Sequence, residues 1–267
     1  MQIASAVPRF PELVSPPSWP ILPAPSSWCV ADFISDLHLQ ASAPATFEAW
    51  RRYMQGTPAD AVFILGDLFE VWVGDDAADE PGFPADCGAV LQAASRQRPV
   101  FFMHGNRDFL VGPGFMQACG ATLLADPTVL NFARRPWLLT HGDALCLGDI
   151  DYLRFRERVR TPEWQQDFLA KPLAQRKTIA RALREQSEAR KLTGAPYADV
   201  DSDAAMAWLA AAGASVMIHG HTHQPGDHEL HGQRQRIVLS DWDAAATPPR
   251  LEVLRLTQAG HQRIALA

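Results

Sequence analysis

From Cys29 onward, short apolar runs alternate with segments of helical periodicity. The runs CVADFIS, ADAVFIL, RPVFFMH, PWLLTHG and ASVMIHG are rich in β-branched or aromatic residues and turn polar at their C-terminal ends. A short apolar run closed by Gly or Asp predicts a buried strand. Helices are predicted near 44–55, 84–97 and 201–212. That alternation predicts an α/β domain with a largely central sheet. The stretch 150–192 is different. It is long, helix-favouring, rich in Arg, Ala, Leu and Gln, and interrupted by Pro162 and Pro172, so it reads as a helical insertion. Residues 226–266 read as short strands and turns that complete the sheet, and no internal repeat is visible.

Residues 1–28 break this pattern. Seven of the 21 prolines fall there, which forbids a helix and predicts an extended, flexible extension ahead of a folded domain over 29–267. The same prolines interrupt any apolar stretch of a secretory signal, and Arg9 is the only early base. With 47% hydrophobic and 20% charged residues among 267, the chain has material for a packed core and is neither disordered nor fibrous. No apolar run approaches the roughly 20 residues of a spanning helix. A formal charge of −6 argues against a nucleic-acid partner, and nothing points to an obligate protein partner. Between 151 and 194, however, eleven basic residues face six acidic ones, and this local excess needs a reason. The four cysteines are far apart, with no C-x-x-C pair, and read as buried free thiols.

Every strong polar motif sits where an apolar run ends. These are Asp36-Leu37-His38, Gly66-Asp67, Gly105-Asn106-Arg107-Asp108, His141-Gly142-Asp143 and Gly220-His221-Thr222-His223. Sites in open α/β sheets form at the carboxyl ends of strands, so five segments are expected to converge. D-x-H and H-x-H on extended backbone each point two donors to one side, and the neighbouring glycines allow tight turns there. Imidazole, carboxylate and amide oxygen without thiolate suit Mn²⁺, Fe²⁺ or Zn²⁺ better than a structural zinc or calcium site. Seven donors suit two ions sharing a carboxylate, an arrangement that clamps phosphoryl oxygens and activates water. Hydrolysis at phosphorus is the implied reaction.

In this order the motifs resemble the calcineurin-like metallophosphoesterases, over about 36–223. The resemblance implies a four-layer α/β/β/α sandwich and two divalent ions, most simply Mn²⁺. One ion would be held by Asp36, His38 and His223, with Asp67 bridging, and the other by Asn106, His141 and His221. Most members carry His after the Asn, whereas this chain has Arg107. The strings SDLHL, LGDLFEVWVGDD, HGNRDFLVG, THGDALC and IHGHTHQP are similar to the UDP-2,3-diacylglucosamine diphosphatases of lipid A biosynthesis, which share the Arg and a helical lid after the H-G-D strand. That resemblance implies splitting of a lipid-nucleotide pyrophosphate into UMP and diacylglucosamine 1-phosphate. The expected setting is peripheral, on the cytoplasmic face of the inner membrane of a Gram-negative bacterium. Asn106, Arg107 and His221 would hold the phosphates, Asp149 would contact the sugar and Ser187 the lipid-phosphate end, with Arg190 or Lys191 supplying a further basic contact. A phosphate leaving group needs little protonation, so an Arg that neutralises developing charge suits a pyrophosphate.

The insertion fits that reading, because Phe155, Val159, Trp164, Phe168, Leu169, Leu173, Ile179 and Leu183 alternate with bases that could meet phosphate or anionic headgroups. Taken singly, each apolar residue is equally expected to pack on the domain. The rivals are a phosphodiesterase or phosphomonoesterase on the same scaffold, and a non-catalytic scaffold, which would not need all seven donors. His104 and His219 are expected to orient donors, and His228, His231 and His261 to face solvent. Asp75, Asp76, Asp79 and Glu80 read as a solvated loop, and Asp108 and Asp143 as turn-capping or orienting carboxylates. Glu70 is read equally as support for the site or as an ordinary helix-start carboxylate.

Overall fold

A computed structural model describes residues 19–192 and 198–266, with the side chains of 185–192 outside the description. One six-stranded sheet runs in the order β12 (Gly260–Ala265), β11 (Glu252–Thr257), β2 (Val30–Ile34), β3 (Ala61–Leu65), β4 (Val100–Met103) and β5 (Thr122–Leu124). The other runs β1 (Ile21–Pro23), β6 (Thr128–Phe132), β7 (Arg135–Leu139), β8 (Val216–His219), β10 (Arg234–Val238) and β9 (Gly226–Leu230). The strands that end in the polar motifs, β2, β3, β4, β7 and β8, pair in parallel within their sheets. Their motifs therefore share one end.

Period-two alternation sorts each strand between two cores. Ala31, Phe33, Ala61, Phe63, Leu65, Phe101 and Met103 point between the sheets and meet Leu139, Ile218, Ile237 and Leu254. Their neighbours Ile34, Val62, Ile64, Val100 and Phe102 point outward against helices α1 (Pro44–Gly56) and α2 (Phe83–Ser95), through Trp50, Met54, Cys87 and Leu91. A short helix, α3 (Pro113–Cys119), joins this outer layer through Phe115 and Met116. On the far side, Leu138 and Met217 pack on Ala205 and Leu209, which belong to the last helix of the chain (Ser202–Ala212). Helix, sheet, sheet, helix is the expected four-layer order. Strands buried on both faces explain why the sequence shows continuous apolar runs here rather than alternation.

The segment 150–192 carries α4 (Ile150–Val159), α5 (Pro162–Leu169) and α6 (Leu173–Leu192), and the last helix is therefore α7. Pro162 opens α5, where its missing N–H costs nothing, and Thr161 caps it by accepting from Trp164 N. No helix among the described residues is long and apolar enough to cross a membrane.

Four expectations need correction. Part of the Pro-rich extension is docked: β1 pairs in parallel with β6, and Trp19 packs on Trp208 at 5.3 Å. Pro23 within the strand and Pro20 just before it do not prevent this, because β1 is an edge strand. Residues 1–18 lie outside the described residues. The acidic run is not merely solvated, since Asp75 accepts from Gly112 N, Phe115 N and Trp72 Nε1 and so holds the start of α3. Of the lid residues expected to line an acyl groove, Val159 and Phe168 are buried in the body of the protein, with Phe168 stacked on Trp164 at 4.9 Å. Cys29 is exposed, whereas Cys87, Cys119 and Cys146 are buried thiols.

Candidate active site

The five strand ends are fastened to one another before any side chain acts. His38 N donates to Asp67 O at 3.0 Å, Leu39 N to Leu68 O at 2.9 Å, and Glu70 N to Leu39 O at 3.1 Å, so the first two loops run side by side. Asp108 ties in the third, accepting from Gly105 N, Asp67 N and Phe69 N. Five of the seven expected donors, Asp36, His38, Asp67, His221 and His223, have positive φ between 48° and 68°. The other described non-glycine cases, Ala133, Arg134 and Gln233, fall in the tight β6–β7 and β9–β10 connections. Left-handed backbone at side-chain-bearing residues persists where the surroundings over-determine it, and it marks this end of the sheets as a functional site. Two glycines are required by close approach. A Cβ on Gly105 would collide with the backbone and carboxylate of Asp67, and one on Gly220 with Ser35 and Asp36.

All seven donors come together as one linked set. His38 Nε2 and His223 Nε2 are 3.3 Å apart, and His223 Nε2 is 3.4 Å from Asp36 Oδ1. Asp36 Oδ2 accepts from Ser35 Oγ at 2.5 Å and from His221 N at 2.9 Å. Asn106 Oδ1 lies 2.9 Å from His221 Nδ1 and 3.1 Å from His141 Nε2, which is itself 3.8 Å from Asp67 Oδ1. Asp36, His38 and His223 form one triad with metal-ligating geometry, and Asp36, Asp67 and His141 another. Asp36 therefore stands at the joint of the two groups beside Asp67, rather than in the first group alone.

The set fits divalent cations. Asp36 Oδ1 is buried without a hydrogen-bond donor while its partner oxygen is fully engaged, and the imidazole nitrogen of His223 stands 3.4 Å from it. An uncompensated buried carboxylate oxygen is costly unless a cation or donor meets it. The local field favours positive charge in the same place. Burial pushes His141 down, but Asp67, Asp143 and Asp36 outweigh it and raise the imidazole to about 9. Burial likewise opposes protonation of His38, yet Glu70, Asp67 and Asp36 raise it. Burial would raise Asp36, but His223, His141 and His38 hold it far below the usual carboxylate range. His221 is the exception, lowered to about 4 by burial and by the neighbouring His141, which keeps it neutral and able to donate a lone pair. Asp108 is raised to about 7 by burial beside Asp67.

A cavity of about 440 Å³ opens onto this set. Its walls include His38, Asp67, Asn106, Arg107, His221 and His223, together with Glu70, Arg184, Trp242, Asp243 and Arg250. Arg107 N donates to Asp67 Oδ1 at 2.8 Å, while its guanidinium lies 3.7 Å from Glu70 Oε1. Asp149 is not among the lining residues, and its carboxylate caps α4 by accepting from Tyr152 N at 3.2 Å. The side chains of Ser187, Arg190 and Lys191 lie outside the described residues. His104 turns away to Val111 O at 2.6 Å, and His219 packs behind the site against Gly142. His261 is half-buried and paired with Asp227 at 2.7 Å, not simply solvated.

Residues the motifs did not reveal also gather here. Tyr152 stacks on His221 at 5.9 Å and donates its hydroxyl to Asp143, which also accepts from Arg156 Nε at 2.7 Å. Arg160 donates to Gly105 O at 2.9 Å. These three fasten α4 of the insertion to the third and fourth loops. Only the i, i+4 spacing of Tyr152, Arg156 and Arg160 could have signalled a common helix face.

Fold and site together define a metal-dependent phosphoesterase. Residues 31–225 match the model of the calcineurin-like phosphoesterase family, and the chain belongs to that family. Within it, the chain groups with UDP-2,3-diacylglucosamine hydrolases. It is 48% identical to the one from Chromobacterium violaceum, covering 79% of this chain and 89% of the relative. With the one from Cellvibrio japonicus it shares 43%, covering 80% of this chain and 95% of the relative. A solved archaeal phosphodiesterase is 12% identical with a TM-score of 0.46, covering 89% of this chain and 99% of its own. The protein is a hydrolase that uses divalent metal ions.

Proposed function

We propose that the protein hydrolyses the pyrophosphate of UDP-2,3-diacylglucosamine to UMP and 2,3-diacylglucosamine 1-phosphate, in lipid A biosynthesis. The reaction is an in-line displacement at the α-phosphorus. The oxygen of water ends in UMP, and the bond from that phosphorus to the bridging oxygen breaks, leaving the second phosphate on the sugar lipid. Two divalent ions, with Mn²⁺ best matched to the donors, would supply an activated water and a clamp on phosphoryl oxygens when bound by Asp36, His38, Asp67, Asn106, His141, His221 and His223.

The observation that carries the reading is Arg107 on the cavity wall, held between Asp67 and Glu70, where many metallophosphoesterases place an imidazole acid. A fixed guanidinium neutralises charge on a departing phosphate without giving up a proton. Asn106 and His221 line the same wall and would orient the phosphates. Asp149, at the α4 cap, and Ser187 and Lys191, further along the lid, remain proposed contacts for the sugar and lipid-phosphate end. The exposed lid bases Arg154, Lys177 and Arg181 suit an anionic membrane face, which supports a peripheral position on the cytoplasmic side of the inner membrane. Supplying Mn²⁺ and UDP-2,3-diacylglucosamine in detergent should release UMP. Turnover of simple phosphodiesters without UMP release would favour a different phosphoesterase.

A further inference from the structure

Glu70 follows the bridging Asp67 by three residues in the run Asp67-Leu68-Phe69-Glu70, with Leu68 and Phe69 buried. No helix starts there. Residues 67–70 instead lie along the D-x-H loop, and the hydrogen bonds from His38 N to Asp67 O and from Glu70 N to Leu39 O set Glu70 across from His38. The carboxylate is 8% exposed, and groups from three separate elements face it. Its Oε2 lies 3.2 Å from His38 Nδ1, and its Oε1 lies 3.1 Å from Arg184 Nε on α6 and 3.7 Å from Arg107 Nη1. A carboxylate buried to this degree is unfavourable unless paired, so the three partners and the glutamate hold one another in place.

We propose that Glu70 is a positioning residue that aims His38 and Arg107 into the site and makes the docking of lid helix α6 part of the same assembly through Arg184. A carboxylate oxygen 3.2 Å from Nδ1 favours a proton on that nitrogen, which leaves the His38 Nε2 lone pair on the side of His223, the one tautomer useful for binding a cation. The same carboxylate lies 3.7 Å from Nη1 of Arg107, which lines the cavity. A lid that lifts α6 would remove Arg184 from Glu70 and leave the His38–Arg107 geometry less constrained. Lid and metal site are then coupled by one side chain, an inference that rests on the two-ion reading above.

The test uses the full chain, stripped with chelator and titrated calorimetrically with Mn²⁺. Glu70→Gln keeps the length of the side chain but loses the charge. It should weaken one of the two binding steps by about 10- to 100-fold, the range typical of partners that orient a ligating imidazole. Arg184→Met lies outside the donor set and should weaken the same step several-fold, with little further effect in the Glu70→Gln background. Wild-type affinity in Glu70→Gln, or full additivity of the two substitutions, would overturn the proposal. Should Glu70→Gln not fold, as read by circular dichroism, Arg184→Met decides alone, and wild-type Mn²⁺ affinity in that variant overturns it. A wild-type chain that takes up no Mn²⁺ would instead overturn the two-ion reading itself and this inference with it.

Discussion

The strand-end loops and the inserted helices border the same cavity, yet different forces hold them. The loops extend from strands with fully buried residues such as Ile34, Leu65, Met103 and Ile218, and backbone hydrogen bonds between neighbouring loops fix their spacing. The insertion rests on the body through a few arginine–carboxylate pairs: Arg156 on Asp143, Arg176 on Asp76, Arg184 on Glu70. Among the described residues, Val159 and Phe168 are buried, and Trp164, Leu173, Ile179 and Ala180 add partly buried apolar contacts. Donor geometry is thus set by the rigid part of the molecule. The inserted helices reach the donor set at few points, through Tyr152 stacked on His221 and through Arg184 on Glu70 beside His38.

The strongest way to break this contrast is to remove a donor from the rigid part. Asp67→Ala or His223→Ala should lower UMP release by about 10³-fold or more, because the charge that clamps phosphoryl oxygens is lost. Both variants should keep a cooperative thermal transition. Substantial turnover in either would show that the donors do not act as one set. Arg107→Ala ranks next. It should depress pyrophosphate cleavage by about 10²-fold, the usual worth of one fixed charge donor, but hydrolysis of an activated aryl phosphodiester much less. Equal losses on both substrates would refute its role at the departing phosphate.

A lid substitution should read out mainly as stability. Arg176 is nearly fully buried and donates to Val73 O and to Asp76. Arg176→Met keeps the apolar stem and leaves a buried carbonyl without its donor, a loss of about 1–3 kcal/mol. Calorimetry should show the lower midpoint, while kcat in detergent changes less than in the Arg107 variant. A kcat loss as large as that of Arg107→Ala would mean the lid sets donor geometry directly.

What was legible in the sequence follows the same division. The strands around Phe33, Phe63 and Phe102 were readable because burial on both faces leaves continuous apolar runs, and the site was readable because each donor follows such a run directly. Fasteners across long separations were not. Arg176 meets Asp76 from 100 residues away, and neither position carries a local signal, so the 75–80 run looked solvated. The β1 strand was hidden for the same reason: its partner β6 is more than a hundred residues distant, and its own prolines argue for extended chain without saying what it pairs with. In the lid, helical periodicity alone could not separate Phe168, buried in the body, from Leu169, which is exposed. Glu70 was ambiguous because its meaning depends on the loop beside it, which only the fold supplies.

The weakest expected effect concerns pH, and it separates the lid anchor from the donor set. Arg176 lies against Asp76 and lowers that carboxyl below its ordinary value. A carboxylate whose folded pKa is depressed contributes stability that is fully present above the unfolded pKa, about 3.9, and is lost as pH falls through the lower folded value. Asp76 is about half exposed, so solvent screens the pair and the contribution is small. Wild type and Asp76→Asn should therefore differ most in thermal midpoint at neutral pH and converge in acid below about pH 4. The difference should stay flat between pH 5 and 8, because Asp76 is ionised throughout that range. If the gap opened near pH 6 to 7 instead, an imidazole rather than Asp76 would be setting the stability of the lid, and the lid would not be independent of the histidine-rich site beneath it.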